Sequence, residues 1–231
     1  MTSPTRAGVI AVSAIALGLS LAGCGSDTKS EESTAKETTS SQAASSSKAA
    51  PSTSAQAAGK NQTIEDYVNA NGIVATVVHR GDPGSPTLDL PVPPGWEPLG
   101  DKAPPEAWGG IGFADPAAAK DPSQIIAIIN KLTGNVDPAK ILELAKGELK
   151  NAPGYQGGDG QPSNLSGFEA WQIGGTFEKD GGTRLAAQKT IVIPGQDGLY
   201  VLQINAQGPE DQAQPLMQAT SEIDEKTTIT P

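Results

Sequence analysis

The first hydrophobic pattern in the chain is an uncharged run that is too short to cross a membrane. Residues 7–21 contain only Ala, Val, Ile, Leu, Gly and Ser, and Arg6 stands just before them. A membrane-spanning helix needs about 20 apolar residues, whereas the core of an export signal needs fewer. The pattern therefore predicts a signal peptide over residues 1–23.

The next segment has no hydrophobic periodicity. Residues 25–60 contain no Val, Ile, Leu, Met or aromatic residue, and 23 of these 36 positions are Ser, Thr or Ala. Such a segment cannot bury enough apolar surface to offset the entropy lost on ordering. We expect residues 24–60 to form a disordered tether with a root-mean-square span of roughly 30–35 Å.

From residue 61 onward, apolar residues recur with the spacing of helices at three places. Thr63 and Asp66 have the spacing of a capping box before a short helix over residues 64–68. Asp137 and Pro138 can cap and open a second helix, and a third is expected from about residue 209 to residue 226. The residues predicted to face the core are Ile141, Leu144, Ala145 and Leu149 in the second helix and Leu216, Met217, Thr220 and Ile223 in the third.

Strands are predicted where apolar or β-branched residues lie between turn residues. They cover residues 73–80, 87–92, 108–113, 124–132, 168–178, 185–193 and 199–205. Residues 125–129 are apolar at every position, which indicates a central strand covered on both faces. Short turns join the last three strands, so the predicted class is α+β, a mostly antiparallel sheet covered by helices, in one domain over residues 61–231.

Charge and composition exclude several classes of function. Residues 61–231 carry 22 acidic and 11 basic residues, a net charge of −11, which argues against nucleic acid and anionic lipid surfaces as partners. His79 is the one histidine and Cys24 the one cysteine, and no Gly-x-Ser-x-Gly motif is present. These residues cannot build a nucleophilic triad or the usual zinc site, so we predict a protein that is not an enzyme and binds no metal or cofactor.

The position of Cys24 has a chemical explanation. It ends the segment Leu21-Ala22-Gly23-Cys24, which has the pattern of a lipobox. The thiol of Cys24 is therefore the predicted lipid attachment site, and the absence of an Arg-Arg pair favours the general secretory route. Two acyl chains would hold the protein at the outer face of the cell membrane. The alternative is an ordinary secretory signal with a chance cysteine.

The three tryptophans are candidates for ligand binding. Trp96, Trp108 and Trp171 each lie beside glycine-containing strands or turns, where another surface can approach the sheet. An apolar patch there could hold an acyl chain or the face of a sugar. The alternative, which is favoured for each of the three, is that they all belong to the core.

The order of these segments resembles that of the LpqN/LpqT family of actinobacterial lipoproteins. The resemblance covers most of the chain from Asn61 and is most specific over the run from Gly81 to Trp96. It implies an α/β/α sandwich similar to the Mog1/PsbP-like fold and residence in the cell envelope of a mycolate-bearing bacterium. It implies no established enzymatic activity, so only Cys24 is carried over as a functional residue.

Two hypotheses of function remain. The resemblance implies an accessory module that handles envelope glycolipids of the mycolate type or contacts the proteins that transport and transfer them, and we expect its domain to be monomeric. The alternative is a surface-exposed interaction protein that faces host or matrix and binds no lipid. A wide apolar cleft in the domain would favour the first hypothesis, and a solid core with a large acidic surface would favour the second.

Replacement of Cys24 by Ala should abolish lipidation, because no other thiol is present to accept the diacylglyceryl group. Metabolic labelling with an alkyne fatty acid is expected to mark the wild-type protein only. Equal labelling of Cys24→Ala would contradict the lipobox assignment.

Overall fold

The computed structural model describes residues 60–231. The predicted signal peptide, Cys24 and nearly all of the tether lie outside the described residues. The helices are α1 (Ile64–Ala70), α2 (Pro138–Leu144), α3 (Gly147–Lys150) and α4 (Ala213–Lys226). The strands are β1 (Val74–Val78), β2 (Thr87–Asp89), β3 (Trp96–Pro98), β4 (Gly109–Phe113), β5 (Gln124–Thr133), β6 (Gln156–Gly157), β7 (Gln161–Leu165), β8 (Phe168–Lys179), β9 (Gly182–Gly195), β10 (Gly198–Pro209) and β11 (Thr228–Thr230).

One antiparallel sheet organises the described part of the chain. Its strands lie in the order β3-β4-β5-β10-β9-β8-β6, with β1 paired to β5 and β7 paired to β8. Every pair in this sheet is antiparallel. The predicted α+β class and the meander of β8, β9 and β10 are therefore confirmed.

Tight turns fix the register of the meander. Lys179 pairs with Gly182 at the end of the β8–β9 hairpin. The two residues between them, Asp180 and Gly181, both have positive φ angles, of 53° and 78°. This backbone matches the right-handed twist of the strands, and Asp followed by Gly adopts it readily.

The core has two parts, one on each face of the sheet. In β10, Leu199 and Val201 pack with Val68 of α1 and Ile141 of α2. The alternate residues of β10, from Tyr200 to Ala206, pack instead with residues of α4. Neighbouring side chains of a strand point to opposite faces, so this alternation places α1 and α2 on one side of the sheet and α4 on the other.

The predicted starts of the first two helices are confirmed, and the third, expected from about residue 209, begins as a 3-10 turn at Glu210 that continues into α4. Thr63 and Asp66 form a complete capping box at α1, and Asp137 accepts a hydrogen bond from the backbone N–H of Ala139 at the start of α2. The second helix is interrupted after Leu144, and α3 begins at Gly147. A Cβ at Gly147 would lie 2.0 Å from the carbonyl oxygen of Gln62, so glycine permits this close approach to the segment before α1.

Two details of the prediction are wrong. Met217 was expected to face the core but is 64% exposed, and Ala219 packs inward in its place. Leu216, Ala219 and Ile223 follow the helical spacing i, i+3, i+7, which leaves Met217 beside the buried stripe. The predicted strand 87–92 ends at Asp89 and pairs with β11 in a separate two-stranded sheet.

Truncation of the core should be far more costly than truncation at the surface of α4. Leu202 is fully buried, so Leu202→Ala should lower the free energy of unfolding by about 2–5 kcal/mol. Met217→Ala, the matched control, should change it by no more than about 0.5 kcal/mol. Urea unfolding followed by circular dichroism measures both, and similar losses would place Met217 in the core after all.

Candidate ligand-binding groove

Two adjoining cavities lie between α4 and the sheet. One, which we call the β8 chamber, has a volume of about 530 Å³ and reaches from α4 across β10 and β9 to β8. The other, the Trp108 chamber, has a volume of about 410 Å³ and lies toward β4. Ile204 of β10 and Ile223 of α4 line both chambers. We refer to these two neighbouring chambers together as the groove beneath α4.

Small residues in register create the β8 chamber. Gly174 of β8 is paired with Ala187 of β9, and Ala187 is paired in turn with Ala206 of β10. All three line the chamber. Directly paired residues point to the same face, so this row lacks any side chain larger than a methyl group beneath α4. The space that Val or Ile would fill elsewhere in the sheet is left open.

An ion pair between a buried lysine and an exposed aspartate connects the sheet to α4 in this chamber. Lys189 of β9 is only 8% exposed, and its Nζ lies 2.7 Å from Oδ2 of Asp224 in α4. A buried ammonium group needs such a partner, because desolvation of an unpaired charge is costly. Gln172 and Thr220 add neutral polar groups to the lining. The β8 chamber therefore combines an apolar floor with a few fixed polar groups.

The loop of residues 158–161 closes the chamber at the edge of the sheet. The hydroxyl of Tyr155 shares its one proton between the carbonyl oxygens of Gly158 (3.0 Å) and Gly174 (3.1 Å). The indole N–H of Trp171 donates to the carbonyl oxygen of Asp159, at 3.1 Å. Gly160 has φ +79°, and a Cβ there would lie 2.4 Å from the carbonyl oxygen of Gln172. The loop is therefore held tightly against β8.

Charges on the other face of the sheet also hold this loop. The carboxylate of Asp159 forms ion pairs with Lys150 and with Lys146, the latter at 3.6 Å. Hydrogen bonding to Lys150 and the positive charge of Lys146 hold the pKa of Asp159 below its usual value of 3.8. The loop that borders the groove is thus tied to the helices opposite α4.

The Trp108 chamber is mostly apolar. Leu90, Pro91 and Val92 line it together with Trp108 and Ile111. Val92 is exposed, whereas Trp108 is only 6% exposed. The guanidinium carbon of Arg80 lies 4.1 Å from the centre of the Trp108 ring, a cation–π contact. Within residues 60–231, the indole N–H of Trp108 has no hydrogen-bond acceptor.

The three tryptophans that were candidates for ligand binding lie in three different environments. Only Trp108 lines the groove. Trp171 is half-buried on the face opposite the chamber, where Nζ of Lys146 lies 5.9 Å from the centre of its ring. Trp96 is 6% exposed and packs in the core against Phe113, with 5.5 Å between ring centres. Of the three tryptophans, Trp171 alone is partly exposed.

Sequence reasoning missed several residues that shape the groove. Lys189 carries a visible signal, since it is a charged residue two positions before the apolar stretch Ile191–Ile193 of a strand. The row of Gly174, Ala187 and Ala206 carries none, because it exists only once the strand register is known. Exposed His79 lies at a turn, where its backbone N–H donates to Asp82 at 2.7 Å.

The described residues contain neither a candidate metal centre nor a membrane-spanning helix. Among residues 60–231, no cluster of three or more His, Cys, Asp or Glu side chains could hold a metal ion. In the same part of the chain, no helix has the length and hydrophobicity needed to cross a membrane.

Comparisons with known proteins agree with this fold. A family model described as "Probable lipoprotein LpqN" matches residues 60–230. Lipoprotein LpqN of Mycobacterium tuberculosis is 55% identical over 225 residues, which cover 96% of this chain and 97% of the relative. The crystal structure of LpqN "involved in cell envelope biogenesis of Mycobacterium tuberculosis" is 54% identical and has a TM-score of 0.71, with 75% of this chain and 100% of that chain covered.

A more distant structure shows a weaker likeness. The solution structure of PsbP from Synechocystis sp. PCC 6803 is 9% identical, covers 78% of this chain and 100% of its own, and has a TM-score of 0.43. The matching family model and the relative from Mycobacterium tuberculosis are both described as lipoproteins. With a family model that spans residues 60–230 and 55% identity to a relative of equal length, the chain belongs to the LpqN family of lipoproteins.

Proposed function

We propose that this protein is a lipid-anchored, non-enzymatic binding module of the cell envelope that holds the acyl part of an envelope glycolipid in the groove beneath α4. The lipid anchor would be attached to Cys24, as the lipobox indicates, after export of the protein by the general secretory route. The relative from Mycobacterium tuberculosis is involved in cell envelope biogenesis, which supports a role in the same process. Proteins that transport or transfer the glycolipid would be its partners.

The groove is the observation that carries this proposal. Each chamber, at about 530 and 410 Å³, falls within the range of about 300–1,000 Å³ that is usual for small-molecule sites. The Trp108 chamber, which is lined by aliphatic side chains and Trp108, offers the apolar surface that an alkyl chain needs. The alternative hypothesis, a solid domain that contacts host or matrix, does not require a groove of this size.

The polar groups of the β8 chamber suit the other end of an amphiphile. Gln172, Thr220 and the Lys189–Asp224 pair lie where the apolar floor ends, and they can exchange hydrogen bonds with hydroxyl groups. Because the lysine is already neutralised by Asp224, an uncharged headgroup fits better than an anionic one. A neutral glycolipid has both an alkyl chain and an uncharged headgroup with hydroxyl groups.

Blocking the chamber should weaken binding of an amphiphile without loss of the fold. Ala187 is exposed to the chamber, so Ala187→Phe should displace two or three methylene groups of a bound chain, each worth about 0.8 kcal/mol. Isothermal titration with dodecyl maltoside should show affinity at least tenfold lower than that of the wild type.

The control for this variant is Ala139→Phe, which adds the same side chain to the exposed side of α2. It should bind dodecyl maltoside like the wild type. If the wild type binds no amphiphile, or if Ala187→Phe binds as tightly, the groove is not the site.

Acid should loosen the edge of the groove. The pKa of Asp159 is lowered below 3.8 by Lys150 and Lys146, so its ion pairs are present above pH 3.8 and are lost as the pH falls further, through the lowered pKa. We expect dodecyl maltoside binding to weaken severalfold over this interval. Asp159→Asn should bind dodecyl maltoside more weakly than the wild type at pH 7, and its affinity should fall less when the pH is lowered. If the affinity of the wild type does not change with pH, the loop does not control the groove.

A further inference from the structure

An amide-rich cleft lies on the face of the sheet opposite the groove. On this face, β10 is apolar at Leu199 and Val201, which pack under α2, but carries amides from Gln203 onward. Asn205 is paired directly with Gln188 of β9, so their side chains lie next to each other. The result is a patch of amide side chains beside α3.

Hydrogen bonds within this patch leave an acceptor without a donor. Gln188 is only 7% exposed, and its Nε2 donates to Oδ1 of Asn205 (3.0 Å) and to Oε2 of Glu148 (3.3 Å). Gln203 also donates to this carboxylate oxygen, at 3.4 Å. Among the described residues, nothing donates to Oε1 of Gln188. A buried acceptor without a partner is costly, so a donor from outside the network would stabilise it.

A cavity of about 240 Å³ adjoins these groups. It is lined by Glu148, Gln188, Asn205 and Gln207, with Phe177 as an aromatic wall. Its volume lies below the range of drug-sized sites, which suits one small ring. Ala187, Gln188 and Ala206 border both this cleft and the β8 chamber, so the two sites lie back to back across the sheet.

The lining defines the chemistry of a ligand. Amide groups offer both donors and acceptors, whereas Oε1 of Gln188 and the carboxylate of Glu148 can only accept. No Lys or Arg lines the cleft, so an anion would find no counter-charge there. Hydroxyl groups satisfy these acceptors, and the C–H face of a saturated ring can pack on Phe177.

We propose that this cleft is a second binding site, which takes the neutral ring of a sugar. A small movement of the Gln188 side chain opens its buried Oε1 to a ligand hydroxyl, other hydroxyls bond to Asn205 and Glu148, and the ring face packs on Phe177. The site needs no acyl chain, so it is independent of the function proposed for the groove. Its ligand is a free sugar or a sugar unit of a larger glycan.

Methyl glycosides of glucose, mannose, galactose and arabinose test the proposal, because they carry sugar hydroxyls and no alkyl tail. In ¹H–¹⁵N NMR titrations, at least one glycoside should shift the side-chain amide signals of Gln188 and Asn205. Asn205→Ala and Phe177→Ala, checked for folding by circular dichroism, should each weaken binding about tenfold.

Two controls separate this site from the groove. Gln172→Ala removes an amide from the neighbouring strand but on the side of α4, and Thr220→Phe fills the β8 chamber from α4; neither residue lines the cleft, so both variants should bind the glycoside like the wild type. The proposal is overturned if no glycoside shifts these signals, if Asn205→Ala and Phe177→Ala bind normally, or if either groove variant abolishes binding. If the wild type binds a methyl glycoside at these residues but does not bind dodecyl maltoside, the function proposed for the groove is contradicted and the proposal for this cleft is supported.

Discussion

The need to cover both faces of the β5–β10 pair organises this fold. Ile129 and Leu202 are fully buried on the side of α4, while Leu132 and Val201 are buried on the side of α1 and α2. A single helical layer would leave one of these faces in water, at a cost of about 25 cal/mol for each Å² of apolar surface. Helices on both faces are therefore required, and the chain supplies them before, between and after the strands.

The same requirement explains why a groove exists. Helix α4 packs closely where Leu216, Ala219 and Ile223 meet large side chains of the sheet. Where the sheet offers Gly174, Ala187 and Ala206 instead, packing does not fill the space, and the Lys189–Asp224 pair holds the helix to the sheet. The helix is thus fixed by its core contacts and one ion pair, and the cavity remains open between them.

Local signals made much of the fold predictable. Thr63, Asp66 and Asp137 are capping residues whose effect depends on neighbours within three positions, and the apolar stretch 125–129 needs no partner to be recognised. The short strands β3, β6, β7 and β11 were not predicted, because their few residues carry no periodicity of their own. They form strands only because a longer strand, or β2 in the case of β11, lies beside them.

The candidate sites depend on register, which a single sequence does not reveal. Trp108 was singled out from its glycine neighbours and does line the groove, but the same reasoning also selected Trp96, which packs in the core. Whether an alanine leaves a cavity or lies in a well-packed region depends on the residues that it faces on the neighbouring strands. The pairing of Ala187 with Gly174 and Ala206 opens one face of the sheet, and the pairing of Gln188 with Asn205, one residue further along, makes the other face polar. Two adjacent residues of β9 thereby give the two faces of one sheet different chemistry, an apolar floor on one side and hydrogen-bonding amides on the other.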